Sequence, residues 1–71
     1  MATSAEVQAQ LDGTELAAKI LSFNNAGLKQ NVYVQGGIGY AGRALWVETT
    51  AADTAADQAT AITAAMRKFS S

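Results

Sequence analysis

The stretch Val34-Gln-Gly-Gly-Ile-Gly-Tyr-Ala-Gly-Arg43 decides the fold, because it holds four of the chain's six glycines between two segments with strand character. Those segments are residues 31–34 and 44–50, which are rich in β-branched and aromatic residues. Glycine at this density indicates backbone that turns tightly or lies very close to a neighbouring group. The stretch therefore predicts a hairpin over about residues 28–50, whose loop either only turns the chain or also binds something.

The hairpin strands carry apolar side chains on both faces. Simple pairing across the loop puts Trp46 on the same face as Val32 and Val34. Tyr33 then lies on the opposite face. Burial in the core is the favoured expectation for Trp46, and the alternative is an exposed contact patch that it forms with Tyr40. A sheet that is polar on neither side must be covered on both, and a lone hairpin is marginally stable in water. The simplest cover is a second copy of the chain, pairing edge to edge or face to face.

The segment before the hairpin predicts a helix over about residues 4–24. Leu16, Ile20 and Phe23 recur with the spacing of one helical face. Asp12-Gly13 is a candidate break, because glycine is unfavourable inside a helix and Asp12 suits a new N-terminal cap. A break or kink at this point is favoured, and one helix that continues through it is the alternative.

The C-terminal segment predicts a second helix, over about residues 54–69, capped by Asp53 or Thr54. Its apolar stripe consists of Ala55, Ala59, Ile62, Met66 and Phe69. The element order is α-β-β-α, which indicates a small α+β domain spanning residues 1–71. The antiparallel hairpin is flanked by the two helices, and its sheet is expected to be completed or covered by a second subunit.

The composition limits the chemistry that the chain can perform. Its 71 residues include neither histidine nor cysteine, which excludes disulfides, Ser-His and Cys-His catalytic arrangements and the usual zinc ligands. No acid–base pair stands out among the carboxylates, so the chain is expected not to be an enzyme and to need no cofactor or metal. A chain of this size buries only about 60% of its unfolded surface, so oligomerisation is the remaining source of stability.

The charge pattern bears on partners and location. With a net charge of -1 and five basic residues, the chain lacks the basic footprint of nucleic-acid-binding proteins. No apolar run approaches the roughly 18 residues of a membrane span, and no secretion signal is evident. We therefore expect a cytoplasmic protein that binds neither nucleic acid nor membrane. Its low charge and Ala/Thr-rich composition also suit a subunit of a larger assembly, such as a phage virion.

Residues Gly37 to Gly42 match the pattern G-x-G-x-x-G of dinucleotide-binding folds. That pattern requires a helix after the glycines, whereas a strand is predicted here, so the dinucleotide interpretation is rejected. The order strand, glycines, strand also occurs in the phosphate-covering loop of protein kinases; this local likeness spans about ten residues and assigns no family. It leaves a small anionic ligand, held by loop N–H groups and Arg43, as an alternative to a plain turn.

Two functional hypotheses follow. The first is a non-enzymatic structural or interaction protein that forms a homo-oligomer or joins other assembly proteins. The alternative is a small binding module or inhibitor that grips an anionic ligand or a protein partner through the glycine-rich loop. Aromatic and arginine side chains are enriched at interaction hot spots. The candidate interaction residues are Gly37, Gly39, Tyr40, Gly42, Arg43 and Trp46.

Overall fold

The computed structural model describes residues 1–37, 39 and 42–70, with side chains through residue 68. It is a small α+β domain, as the sequence predicts, with one more strand than expected. The elements in chain order are α1 (Ser4–Asp12), β1 (Lys19–Ala26), β2 (Lys29–Gln35), β3 (Ala44–Thr50) and α2 (Ala55–Ser70). The three strands form an antiparallel sheet in the order β1-β2-β3.

The prediction of a helix over residues 4–24 is wrong beyond Asp12. Helix α1 ends at Gly13, the candidate break, and β1 begins at Lys19. The misleading signal came from Ile20 and Phe23, which are three residues apart, as on one face of a helix. Strand β1 has a bulge between Ile20 and Ser22. Because of this bulge, Ile20 pairs with Val34 and Phe23 pairs with Val32, although the two valines are only two residues apart. An extra residue in a strand thus produced helix-like spacing.

The predicted β2–β3 hairpin is confirmed, but its expected register is wrong. Val32 pairs with Val47, and Tyr33 pairs with Trp46. A shift of one residue moves every side chain of a strand to the other face of the sheet. The observed register is the more stable one because it places the aliphatic side chains on one face of the sheet, which the helices cover. The buried or partly buried members of this inner face are Ile20, Phe23, Val32, Val34, Leu45 and Val47.

Both helices pack on the inner face of the sheet. Helix α1 contributes Val7 and Leu11, which are fully buried, and α2 contributes Ala55, Ala59, Ile62 and Met66 of the predicted stripe. The side chain of Phe69, the fifth predicted member, lies outside the part of the chain that the structure describes. Among the described residues, neither helix has the length and apolar character needed to cross a membrane. The core therefore lies between one helical layer and one sheet face, and no helix or strand among the described residues covers the other sheet face.

Side-chain caps and one ion pair fix the helix ends. At α1, Thr3 and Glu6 form a capping box, in which the Thr3 N–H donates to Glu6 Oε1 at 2.9 Å. At α2, the Thr54 hydroxyl accepts from the Asp57 N–H at 3.1 Å, which confirms one of the two predicted caps. Arg67, near the end of α2, pairs with Glu15 in the segment after α1. The caps thus fix where each helix begins, and the ion pair joins α2 to the segment after α1 at the surface.

Candidate interaction surface

Gly37 has a structural role in the glycine-rich stretch. Its N–H donates to the Leu16 carbonyl at 3.0 Å. A Cβ at this position would lie 2.7 Å from that carbonyl oxygen and 2.8 Å from the Ala17 Cβ. The N–H of the preceding residue, Gly36, donates to the Arg43 carbonyl at 2.8 Å. Glycine is therefore required for close approach, and two N–H groups of the glycine-rich stretch donate to backbone carbonyls of the chain itself.

The other described residues of the predicted site differ in position and role. Gly42 has a φ of +71°, a left-handed conformation that glycine adopts without strain, so it turns the chain. Gly39 and Arg43 are exposed. Tyr40 lies outside the described residues. Trp46 lies on the outer face of the sheet, in the middle of β3. None of these positions gives an observation that favours the anion-binding loop.

Trp46 is the most prominent apolar group on the uncovered side of the sheet. Its side chain is 57% exposed, so the expectation that it is buried is wrong. It contacts Tyr33 on the neighbouring strand, with ring centroids 4.9 Å apart and ring planes tilted by 33°. Such cross-strand aromatic pairs stabilise a sheet and hold both rings in place. The indole is therefore a fixed and accessible apolar surface.

Polar groups surround this aromatic pair. Asn24 and Asn31 line a shallow groove of about 370 Å³ beside the indole. The Asn24 amide donates to the Ser22 hydroxyl at 2.8 Å. Below the groove, Lys29 and Glu48 form an ion pair at 3.6 Å between strands β2 and β3. An apolar centre with a polar, charge-paired rim is the arrangement seen at protein–protein interfaces.

The two edges of the sheet differ. At the β1 edge, the Gln8 side chain accepts the Ile20 N–H at 2.8 Å and donates to the Ala18 carbonyl at 2.9 Å. The bulge after Ile20 further distorts this edge, and Lys19 lies at its start. Capping side chains, bulges and lysines are features that prevent an edge strand from pairing with another chain. The β1 edge is therefore protected.

The β3 edge has a regular row of outward backbone groups. In antiparallel strands, residue pairs that hydrogen-bond to each other alternate with pairs that do not. The Gly36 N–H donates to the Arg43 carbonyl, and the Ala51 N–H donates to the Leu28 carbonyl. These two bonds show which residues of β3 hydrogen-bond to β2. Every second residue of β3 consequently directs its backbone groups away from β2. These residues are Ala44, Trp46, Glu48 and Thr50. Apart from the Thr50 carbonyl, which accepts the Asp53 N–H, none of them has a further backbone partner among the described residues.

Sequence reasoning missed Tyr33 and Gln8 as important residues. The alternation of polar and apolar residues from Lys29 to Gln35 would have placed Tyr33 on the polar face with Asn31, had the hairpin register been correct. No nearby sequence pattern indicates the role of Gln8, because its partners Ala18 and Ile20 follow ten and twelve residues later.

Comparison with known proteins gives no match: no family model, no curated protein and no solved structure matches the chain.

Proposed function

We propose that this chain is a non-enzymatic interaction protein that works by assembling with copies of itself. One observation carries the proposal: no described residue covers the sheet face opposite the helices, and the exposed Trp46 lies on that face in edge strand β3, held against Tyr33 of the central strand. Tryptophan and tyrosine are among the residues that contribute most to binding at interfaces. The absence of histidine and cysteine from the sequence supports the non-enzymatic part.

Self-assembly is favoured over a charged partner because the described ion pair on this side of the sheet is balanced in charge. Glu48 is matched by Lys29 of the same chain. A highly acidic or basic partner would find little electrostatic complementarity there. A second copy of the chain carries the same aromatic and charge-balanced surface, so it fits this site without a complementary net charge.

Sedimentation equilibrium of the full chain over a wide concentration range tests the proposal. We expect a mass that is a multiple of 7.3 kDa. Trp46→Thr, which keeps a β-branched residue in the strand, should shift the equilibrium toward the monomer. Leu28→Thr is the matched control, since Leu28 is 81% exposed but lies in the β1–β2 turn, and it should leave the assembly unchanged. A mass of 7.3 kDa at every concentration contradicts the proposal.

A further inference from the structure

We propose that two copies of the chain pair through their β3 strands, antiparallel and across a two-fold axis at Val47, to form one continuous sheet with three strands from each copy. This inference rests on the self-assembly proposed above and specifies its geometry. It concerns backbone hydrogen bonds at the β3 edge, whereas the proposed function rests on side chains of the outer face.

The choice of edge follows from how each one is protected. At β1, Gln8 occupies the Ile20 N–H, and the bulge breaks the regular row of donors and acceptors. Strand β3 is a continuous seven-residue strand that pairs with β2 without a register shift. It contains no proline or lysine, residues that commonly protect edges. An edge of this kind gains backbone hydrogen bonds when an extended segment adds to it.

A second copy of β3 meets the geometric requirement of the edge. In an antiparallel pair, outward-directed residues must lie opposite outward-directed residues. The outward residues of β3 are Ala44, Trp46, Glu48 and Thr50, so a two-fold pairing must be centred on a single residue and not between two. Centring on Val47 lets all residues from Ala44 to Thr50 take part, whereas centring on Trp46 or Glu48 leaves two residues of each strand unpaired.

Charge and packing favour the same register. Centring on Glu48 would put two carboxylates directly opposite each other, which is destabilising. With Val47 at the centre, Glu48 lies opposite Trp46 of the second copy. On the inner face, Val47 lies opposite its own equivalent. In this register no two carboxylates lie directly opposite each other, and each Glu48 keeps its partner Lys29.

A proline substitution at the edge tests the pairing. The Glu48 N–H points away from β2, so Glu48→Pro removes only an outward donor, and proline is tolerated on edge strands. We expect Glu48→Pro to keep its circular dichroism spectrum and to weaken dimerisation at least about tenfold, because two intermolecular hydrogen bonds are lost by symmetry. Glu48→Gln is the matched control: it removes the same charge, keeps the N–H and should dimerise like the wild type.

Single-cysteine variants test the register, since the chain has no cysteine of its own. Each two-fold register puts just one residue opposite itself. In the proposed register, Val47→Cys brings two thiols to a pair whose Cα atoms are about 4.5 Å apart, within disulfide range. In Trp46→Cys or Glu48→Cys, the two cysteines of a dimer are diagonal neighbours across the seam, about 7–8 Å apart. Under mild oxidation, Val47→Cys should therefore cross-link fastest, and Ala61→Cys on the exposed side of α2 gives the collisional background.

The outcomes separate this inference from the proposed function. If the wild type forms an oligomer and Glu48→Pro does not weaken it, the self-assembly proposal stands and the β3 pairing is overturned. Contact through the outer face would then explain the oligomer. Faster cross-linking of Trp46→Cys or Glu48→Cys than of Val47→Cys would overturn the register. If Glu48→Pro fails to fold, the cysteine series decides alone, and cross-linking of all variants at the Ala61→Cys rate overturns the pairing. A wild-type monomer at all concentrations would overturn both proposals.

Discussion

At the scale of the single residue, Gly37 connects two loops that are distant in sequence. Its N–H bonds to the Leu16 carbonyl, and the missing side chain lets the backbones touch. Gly37→Ala would force the Cβ to within 2.7 Å of that oxygen. Backbone on one side and the Ala17 methyl group on the other leave no flexible atom to move.

We expect Gly37→Ala to lower the free energy of unfolding by about 1–3 kcal/mol, the usual cost of forcing extra atoms into a packed site. Gly39→Ala is the matched control, since no described atom lies within 4 Å of the position that its methyl group would take and its φ is not left-handed; it should change the free energy by less than about 0.5 kcal/mol. Urea unfolding followed by the fluorescence of Trp46 measures both. Equal stability of the two variants would refute the packing role of Gly37.

The sequence predicted that the glycines either turn the chain or approach another group, and the structure contains both cases. Gly42 turns the chain with its positive φ, and Gly37 makes the close approach. The pattern alone could not assign these roles, because the partner of Gly37 lies in the segment around Leu16. That segment was predicted to be helical, which concealed the contact.

At the scale of the element, Gln8 holds α1 to the start of β1. Its side chain makes three hydrogen bonds, to Asp12, Ala18 and Ile20. Gln8→Ala removes all three and leaves the Ile20 N–H without that partner. We expect a loss of about 1–2 kcal/mol in the free energy of unfolding, since neutral hydrogen bonds contribute about 1 kcal/mol each and the Asp12 contact is exposed.

The control for this change is Gln10→Ala on the same helix. Gln10 is exposed, and its side chain makes no hydrogen bond with the described residues. It should unfold like the wild type in thermal denaturation followed by circular dichroism. A Gln8→Ala variant as stable as Gln10→Ala would show that the bridge to β1 contributes nothing. Hydrogen exchange provides a second measurement, because the Ile20 N–H should exchange faster when Gln8 is removed.

The elements differ in how far their sequences determined them. Helix α2 has a cap, a stripe of regular spacing and cations in its last turn, and all of these agree on its type. Strand β1 has a conflict between its local pattern and its pairing, because the bulge gives Ile20 and Phe23 a helical spacing. Only the partner strand β2 resolves that conflict, and pairing is not visible in the sequence of β1 itself.

At the scale of the whole molecule, two carboxylates link stability to pH. The Thr3 backbone N–H, with its hydroxyl, lowers the pKa of Glu6 below its ordinary value of 4.5. The pKa of Glu15 is lowered by a hydrogen bond from its own backbone N–H and by Arg67, which joins it to the far end of the chain. A group with a lowered folded-state pKa stabilises the fold above its unfolded pKa and loses that contribution as pH falls.

The free energy of unfolding should therefore decrease as the pH falls from above 4.5 through the lowered pKa values of these two groups. Glu6→Gln and Glu15→Gln should each remove part of this slope, and the double variant should remove the most. Urea midpoints measured at several pH values provide the comparison. A double variant with the same slope as the wild type would assign the pH dependence to other groups.

The strand order β1-β2-β3 follows the order of the chain, and this has a consequence for the time course of assembly. Each strand pairing closes only a short loop, and folds built from local contacts form quickly. The chain also has no proline, so no slow isomerisation step delays it. Folding of each copy is then a fast, concentration-independent event, whereas the dimerisation that we propose is a second-order step between folded chains. In that proposal, dilution of the protein slows the appearance of dimers and leaves the folding rate of each copy unchanged.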